Sequence, residues 1–366
     1  MAGFTVIELM IATLVFGVIS AAAFGQMAQH QPLFNQQQIQ AALNISMRNA
    51  VAQMQIDIVN GGAGYNSAIN VPNWPVGIVI NNPSPVVSST QDCHTGTTYG
   101  ANCFDSFTVI TADPATTPVN PLADVSSSLP VTAGSCTVGT TNTTNDHDTY
   151  VLPPSQGGFQ VNDQVLLVKN NGSKYTTVKL TAVTPVTVNS VAYVKLSHSV
   201  LTIAGGTNPA ADDQTGMSVN SSDKTADQFC ATDYVIRLLP IRYYVDITTD
   251  PANPTLRRLV LVNGASTATP SSGVALANQI IGFKVGAALA TGNTSVATYN
   301  FDSSTFKANA TAAGYDYTLV RSVMISLVGR TPPVTDPTYK FRNSFDGGPY
   351  QIQGASVVIN PRNMSM

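Results

Sequence analysis

The sequence predicts an α+β chain in which one long N-terminal α-helix packs on an antiparallel, β-rich C-terminal domain. Three observations carry that expectation. Residues 4–24 are apolar except for Glu8, Gly17 and a few hydroxyls. An apolar stripe at intervals of three or four residues then runs to Ile58. From residue 65 onward, β-branched and aromatic runs alternate with clusters of Pro, Gly, Asn and Asp.

The first element is the stretch Phe4 to Phe24, 21 residues, which as a helix reaches roughly 31 Å, about one bilayer core. Glu8 is the one ionisable side chain before His30. A carboxylate at mid-bilayer costs on the order of 2.5–3.5 kcal/mol, so such a residue has a partner or a function, or snorkels to the headgroups of an ordinary signal anchor. Glu8 lies near one end of the run, which lowers that cost.

The second element, residues 25–62, continues the helix. Pro32 is expected to kink or break it, because the ring removes a helical hydrogen bond. From Gln36 the pattern resumes with Ile39, Leu43, Met47, Val51, Met54 and Ile58, a packing face for a sheet, and Gly61-Gly62-Ala63-Gly64 stops it.

Ten strands are expected in the domain spanning residues 65–366: Val76 to Ile80, Phe104 to Ala112, Phe159 to Lys169, Tyr175 to Val183, Val191 to Ser197, Tyr234 to Ile247, Leu256 to Val262, Ile280 to Leu289, Leu319 to Val328 and Ala355 to Ile359. In Leu319 to Val328, Val323, Ile325 and Leu327 share the side expected to pack on the helix, while Ser322, Met324 and Ser326 share the other. Pro83 to Asn102 and Pro114 to Asp148 read as long polar surface loops.

Charge and cysteine usage narrow the class. With 17 Lys and Arg against 20 Asp and Glu, and 10% charged residues overall, no basic stripe offers phosphate contacts, and no nucleic acid is expected as a partner. The polar, uncharged composition after residue 60 suits an exported protein. The length of 366 residues permits two domains or one large β-rich domain.

The residues at the N-terminus point to a family. Gly3-Phe4-Thr5-Val6-Ile7-Glu8-Leu9, followed by the apolar run, resembles the processing site of type IV prepilins and type II secretion pseudopilins. The resemblance implies a pilin-like fold, with residues 1–3 as a leader remnant removed by a prepilin peptidase between Gly3 and Phe4, and methylation of Phe4. It also implies that Glu8, fifth in the mature chain, meets the terminal amine of a neighbouring subunit. Pairing of that kind neutralises two charges in an apolar filament core. The leader departs from the pattern, since no Lys or Arg precedes Gly3 and the first is Arg48; the precursor is expected to begin upstream with a basic leader.

A looser resemblance lies in the second half. Tyr243-Tyr244-Val245-Asp246, Leu256-Arg257-Arg258-Leu259, Ile280-Ile281-Gly282-Phe283-Lys284-Val285, Val320-Arg321-Ser322-Val323 through Leu327-Val328-Gly329-Arg330-Thr331, and Ile359-Asn360-Pro361-Arg362-Asn363 follow in the order of PilW-like minor pilins. Residues 65–233 match no recognised pattern. The arginines in these motifs are expected to cap or salt-bridge sheet edges.

Cys93, Cys103, Cys136 and Cys230 all follow the apolar helix. An even number in an oxidising compartment favours disulfides, and four cysteines allow three pairings. The short separation favours Cys93 with Cys103, leaving Cys136 with Cys230. A soft metal site from Cys93, His94 and Cys103 is the weaker alternative, since no C-x-x-C spacing occurs. No metal or cofactor is expected.

Catalytic motifs are missing: the sequence has no H-E-x-x-H, no G-x-S-x-G and no G-x-x-x-x-G-K. Asn145-Asp146-His147-Asp148 carries cation-binding side chains without EF-hand spacing, and a solvated loop is the better reading. The expectation is therefore a non-enzymatic minor pilin. It would wait as a single-pass protein of the bacterial inner membrane, in contact with lipid, the peptidase and the assembly machinery. It would then join other pilin subunits at or near a pilus tip, its domain in the periplasm or outside the cell. A minor pseudopilin of a type II secretion system and a tip adhesin or binding module are the alternatives.

Overall fold

The computed structural model describes residues 5–63, 77–81, 94–100, 103–122, 136–138, 148–168, 170, 175–188, 190–198, 229–230, 232–261, 273–291, 294–296, 320–334 and 339–361. One helix, α1, occupies Val6–Val59, 54 residues, and is about 81 Å long at helical rise. Thr5 caps it: its hydroxyl accepts from the Glu8 N–H while the Glu8 carboxylate accepts from the Thr5 N–H, so two orphan donors are satisfied reciprocally. Asn60 closes the helix and Gly62, at φ 73°, turns the chain away in a conformation that costs glycine little.

Of the kink or break expected at Pro32, the break does not occur, because α1 is continuous through it. Gln, Ala, Leu and Met crowd both flanks, and these strong helix formers hold the path across the one hydrogen bond that proline removes.

The strands are β1 (Ile78–Asn81), β2 (His94–Thr95), β3 (Thr98–Tyr99), β4 (Ser106–Ala112), β5 (Pro121–Leu122), β6 (Cys136–Val138), β7 (Asp148–Val151), β8 (Gln164–Val168) and β9 (Tyr175–Val188), then β10 (Val191–His198), β11 (Phe229–Cys230), β12 (Tyr234–Asp246), β13 (Thr255–Val260), β14 (Val274–Ala277), β15 (Ile280–Thr291), β16 (Thr294–Val296), β17 (Val320–Arg330) and β18 (Ile352–Ile359). Each of the ten expected segments contains a strand. The strand expected from Phe159 begins only at Gln164, after a turn in which Asn162 takes φ 72°. The two expected loops are more structured than composition suggested. The first holds the β2–β3 hairpin, and the second holds β5, β6 and a bridge from Val119 to Val235.

Ten strands form one sheet in the order β1-β4-β12-β8-β9-β10-β7-β5, with β13 on the far edge of β12 and β14 beyond it. A second sheet has the order β16-β15-β17-β18, and all ladders in both are antiparallel. The sheets meet where Phe104 bridges to Phe283 and the Asp105 carboxylate accepts from the Val285 N–H at 2.8 Å and the Lys284 ammonium at 3.1 Å.

The C-terminal half of α1 joins the sheets. Leu43, Met47, Ala50, Met54 and Ile58 enter a core shared with Phe107, Tyr243, Phe283, Val323, Ile325 and Leu327. Ile39, expected in the stripe, is 42% exposed, so burial starts one turn later. Gly329 of β17 lets the helix approach closely, since a Cβ there would lie 2.8 Å from Met47 Sδ and 3.0 Å from Leu43 Cδ1. Ser46 Oγ donates to the Leu276 carbonyl on β14 at 3.4 Å, so the helix also covers that sheet edge. β8 is buried throughout because it serves two cores: Leu166 and Val168 face the first, while Val165 and Leu167 face a second with Val151, Phe159, Leu180 and Val235.

Candidate functional site

Among the described residues, the N-terminal half of α1 forms a long uncovered apolar surface. Val6–Met27 has a mean hydropathy of 2.2 and is nowhere buried, and it is long and apolar enough to cross a membrane. Ile7 is 69%, Phe16 73% and Phe24 72% exposed. An uncovered apolar area of this kind is a site for lipid or protein contact. The Thr13 hydroxyl is bonded internally: Thr13 Oγ1 donates to the carbonyls of Leu9 at 3.1 Å and Met10 at 2.9 Å.

Glu8 is exposed in the first turn of this surface. Its Oε2 accepts from both the backbone N–H and the hydroxyl of Thr5, each at 2.9 Å. The carboxylate thus closes the helix N-terminus within its own chain and remains open to a further partner on its solvent side. Gly3 and Phe4 lie outside the described residues.

A polar clasp sits at the other end of α1. Asp57 Oδ2 accepts from Arg258 Nε at 2.7 Å and from the Tyr243 hydroxyl, and Gln53 Nε2 reaches Oδ1 at 3.4 Å. Burial raises the Tyr243 pKa, and its hydrogen bond to Asp57 raises it further. For Arg258, burial opposes the charge, but the Asp57 carboxylate outweighs it and raises the pKa. The phenol therefore stays neutral and the guanidinium charged, as a structural tie requires. The ring of Tyr243 stacks on Phe107 at 4.8 Å, which sets the hydroxyl.

Arg237 forms a second tie. Its guanidinium meets Asp113 Oδ2 at 2.9 Å, and its Nε lies 2.7 Å from Asp163 Oδ2, all three side chains being at most 12% exposed. A cavity of about 520 Å³ opens between the two ties, lined by Asp57, Asn60, Thr111, Asp113, Thr117 and Arg258 with apolar neighbours. Both of its carboxylates are already engaged, so its walls present hydroxyls and prolines to solvent.

The arginines of the second-half motifs, expected at sheet edges, sit instead on inner strands, since β13 lies between β12 and β14 and β17 between β15 and β18. Arg257 Nε pairs with Asp246 at 3.0 Å. Arg330 donates to Gln279 Oε1 at 2.7 Å, the Ala252 carbonyl at 2.6 Å and the Tyr350 hydroxyl at 3.2 Å. Arg362 lies outside the described residues.

Cys103 is disulfide-bonded, which removes the thiolate that a metal site with Cys93 and His94 would need. Cys93 lies outside the described residues. The β6–β11 ladder sets Cys136 opposite Cys230. His94 stands against the rings of Tyr99 and Phe345, at 5.6 and 4.9 Å. His198 Nε2 is 3.0 Å from Thr149 Oγ1, and both residues are buried, so that pair is a packed hydrogen bond closed to substrate. In the Asn145-Asp146-His147-Asp148 stretch only Asp148 is described, at the start of β7. Among the described residues no group of three or more His, Cys, Asp or Glu is placed to hold a metal.

Sequence reading missed Asp57, Tyr243, Asp113, Asp163 and Arg237 as partners. One signal was present: Asp57 follows Met54 by three residues and therefore shares the apolar face of α1, where an unpaired carboxylate is not tolerated. Comparison with protein-family models, with curated proteins and with solved structures yields no match to this chain.

Proposed function

We propose that this chain is a minor pilin subunit of a type IV pilus, processed by a prepilin peptidase and incorporated through its N-terminal helix at or near the tip, where it primes assembly. The observation that supports this most is one helix with two opposite surfaces. Its second half is the packing element of the β-rich head, while its first half is apolar, uncovered and headed by a carboxylate.

The mechanism is noncovalent. Before assembly the apolar half rests in lipid; in the filament it is buried against neighbouring helices, each fully buried Leu, Ile, Val or Phe contributing about 1.5–3 kcal/mol relative to water. Glu8 sets register by pairing with the terminal amine of a neighbour. Thr5 keeps the carboxylate hydrogen-bonded until that amine arrives.

The deciding measurement is mass spectrometry of the mature N-terminus: the expected chain begins at methylated Phe4, and an uncleaved Met1 overturns the reading. Glu8→Ala is expected to leave membrane insertion intact while lowering incorporation into pili by at least about ten-fold, the equivalent of one lost partly buried ion pair. Incorporation into secretion pseudopili in place of pili would transfer the same mechanism to a type II system.

A further inference from the structure

The loop between β17 and β18 carries an exposed apolar and basic surface at the end of the head from which the helix emerges. Phe341 is 46% and Phe345 52% exposed, and Lys340 and Arg342 are exposed beside them. Between Tyr339 and Pro361 the one acidic residue is Asp346. Asp346 is spent internally: its carboxylate accepts from the hydroxyls of Tyr99 and Tyr350, from Asn343 Nδ2 at 2.7 Å and from the Gly348 N–H at 2.9 Å.

The same bonds make the loop rigid. Asn343 Oδ1 accepts from the Phe345 and Asp346 N–H groups at 2.9 and 3.0 Å, and its Nδ2 also donates to the Gly348 carbonyl at 3.0 Å. Beneath it, the Arg330 guanidinium lies 4.8 Å from the Tyr350 ring and 5.6 Å from the Tyr99 ring. His94 supports Phe345 from the β2–β3 hairpin. Two large apolar rings are thus held in water by a scaffold that prevents their collapse into the core, although inward packing would stabilise them.

Position along the helix identifies the occupant. Arg330 follows Gly329, which packs on Leu43 and Met47, the first buried turn of α1. The loop therefore belongs to the level at which the helix leaves the head on its way to Val6–Met27. Gln36, already partly buried, lies nine residues beyond Met27, about 14 Å of helix. The headgroup layer takes up about 5–8 Å of that gap. A helix tilt of about 20° and the reach of Phe and Lys side chains cover the remainder.

We propose that residues 340–345 dock the head on the anionic lipid surface of the membrane that α1 crosses, with Phe341 and Phe345 entering the interface and Lys340 and Arg342 meeting lipid phosphates. This rests on the reading of Val6–Met27 as a membrane span. Docking holds the unassembled subunit at one tilt and depth, with Glu8 at a defined height. Aromatic rings favour the headgroup level, and each basic side chain near an anionic surface strengthens the contact about five-fold.

The test uses the full chain in vesicles of phosphatidylcholine, with or without phosphatidylglycerol, carrying brominated acyl chains. The single tryptophan, Trp74, is replaced by Phe, and Phe345→Trp places the reporter indole. The expected result is quenching that rises with phosphatidylglycerol, together with no quenching when the indole is placed instead by Val191→Trp on the β9–β10 hairpin. Lys340→Gln with Arg342→Gln is expected to lower the docked-to-undocked ratio about thirty-fold, with an unchanged circular dichroism spectrum. If alkaline extraction leaves the chain in the vesicles and the position-345 indole is quenched no more than the Val191→Trp control, docking is overturned and the span stands. Release of the chain by alkali removes the span and the docking with it. Emission changes that follow protein density and ignore lipid charge identify a protein interface and also overturn the proposal.

Discussion

Asp246 shows how single residues carry this head. It is 3% exposed at the end of β12 and accepts from the Thr248 N–H and hydroxyl at 3.0 Å each, from the Thr249 hydroxyl at 2.7 Å and from Arg257 Nε at 3.0 Å. Burial alone would raise its pKa, but the hydrogen bonds from Thr249 and Thr248 overcome that and hold it at about 2. An unfolded aspartate titrates near ~3.9, so the folded value is depressed. The resulting stability is complete above about pH 4 and is lost as the pH falls towards 2. Urea midpoints measured from pH 6 to pH 2.5 should fall across that window, and Asp246→Asn should flatten this part of the fall. A constant gap between the variant and the parent across the whole range would count against Asp246 as the titrating group. Glu8, by contrast, is exposed and bonded only within the first turn of its own helix, so it carries none of the burial that holds the head.

At the scale of elements, among the described residues α1 is held to the sheets by apolar packing, the Ser46 hydrogen bond to β14 and the Asp57–Arg258 ion pair. The stripe Leu43, Met47, Ala50, Met54 and Ile58 supplies the area, while Asp57 fixes rotation and axial position through Arg258 and Tyr243 on two neighbouring strands. Removing one partner strands the other in a partly buried setting. With the Arg258 side chain 24% exposed, Asp57→Ala should cost about 2–3 kcal/mol in chemical unfolding. Gln53→Ala, which removes only a 3.4 Å contact, should cost under about 1 kcal/mol. Equal losses in the two variants would mean that the clasp adds nothing beyond helix packing. The loop at 340–345 belongs to this scale too, since its geometry is set by Asn343 and Asp346 and its placement by β17.

For the whole molecule, α1 divides into a half that is buried in the head and a half that is not. The head takes burial from Leu43 onward, and Val6–Met27 contributes none. A chain lacking residues 1–27 should therefore keep the thermal midpoint of the full chain within about 2 °C, the shift that a loss of about 1 kcal/mol gives in a domain of this size, and should stay soluble without detergent. A large fall in the midpoint would show that the apolar half folds back on the head. No glycine loosens α1 between Gly25 and Gly61, so the stretch that joins the head to the apolar half carries no glycine hinge.

The local features were legible from sequence because their causes are local. Glu8 in an apolar run, the helix period through Ile58 and the alternation of Val323, Ile325 and Leu327 depend on residues a few positions apart. Pro32 and Ile39 were misread for the complementary reason: what decides them is the strength of the flanking helix and the position of the sheet beneath. Asp57 finds its partners 186 and 201 residues away, and β8 is buried on both sides because two cores meet on it. The sequence by itself determined a membrane-length apolar helix, one carboxylate near its start and a β-rich remainder. Tertiary structure alone decided which charges neutralise each other, which sheet edge the helix covers and which aromatic rings stay in water. Ion pairing and packing across such distances follow from strand register, and no short-range propensity encodes register.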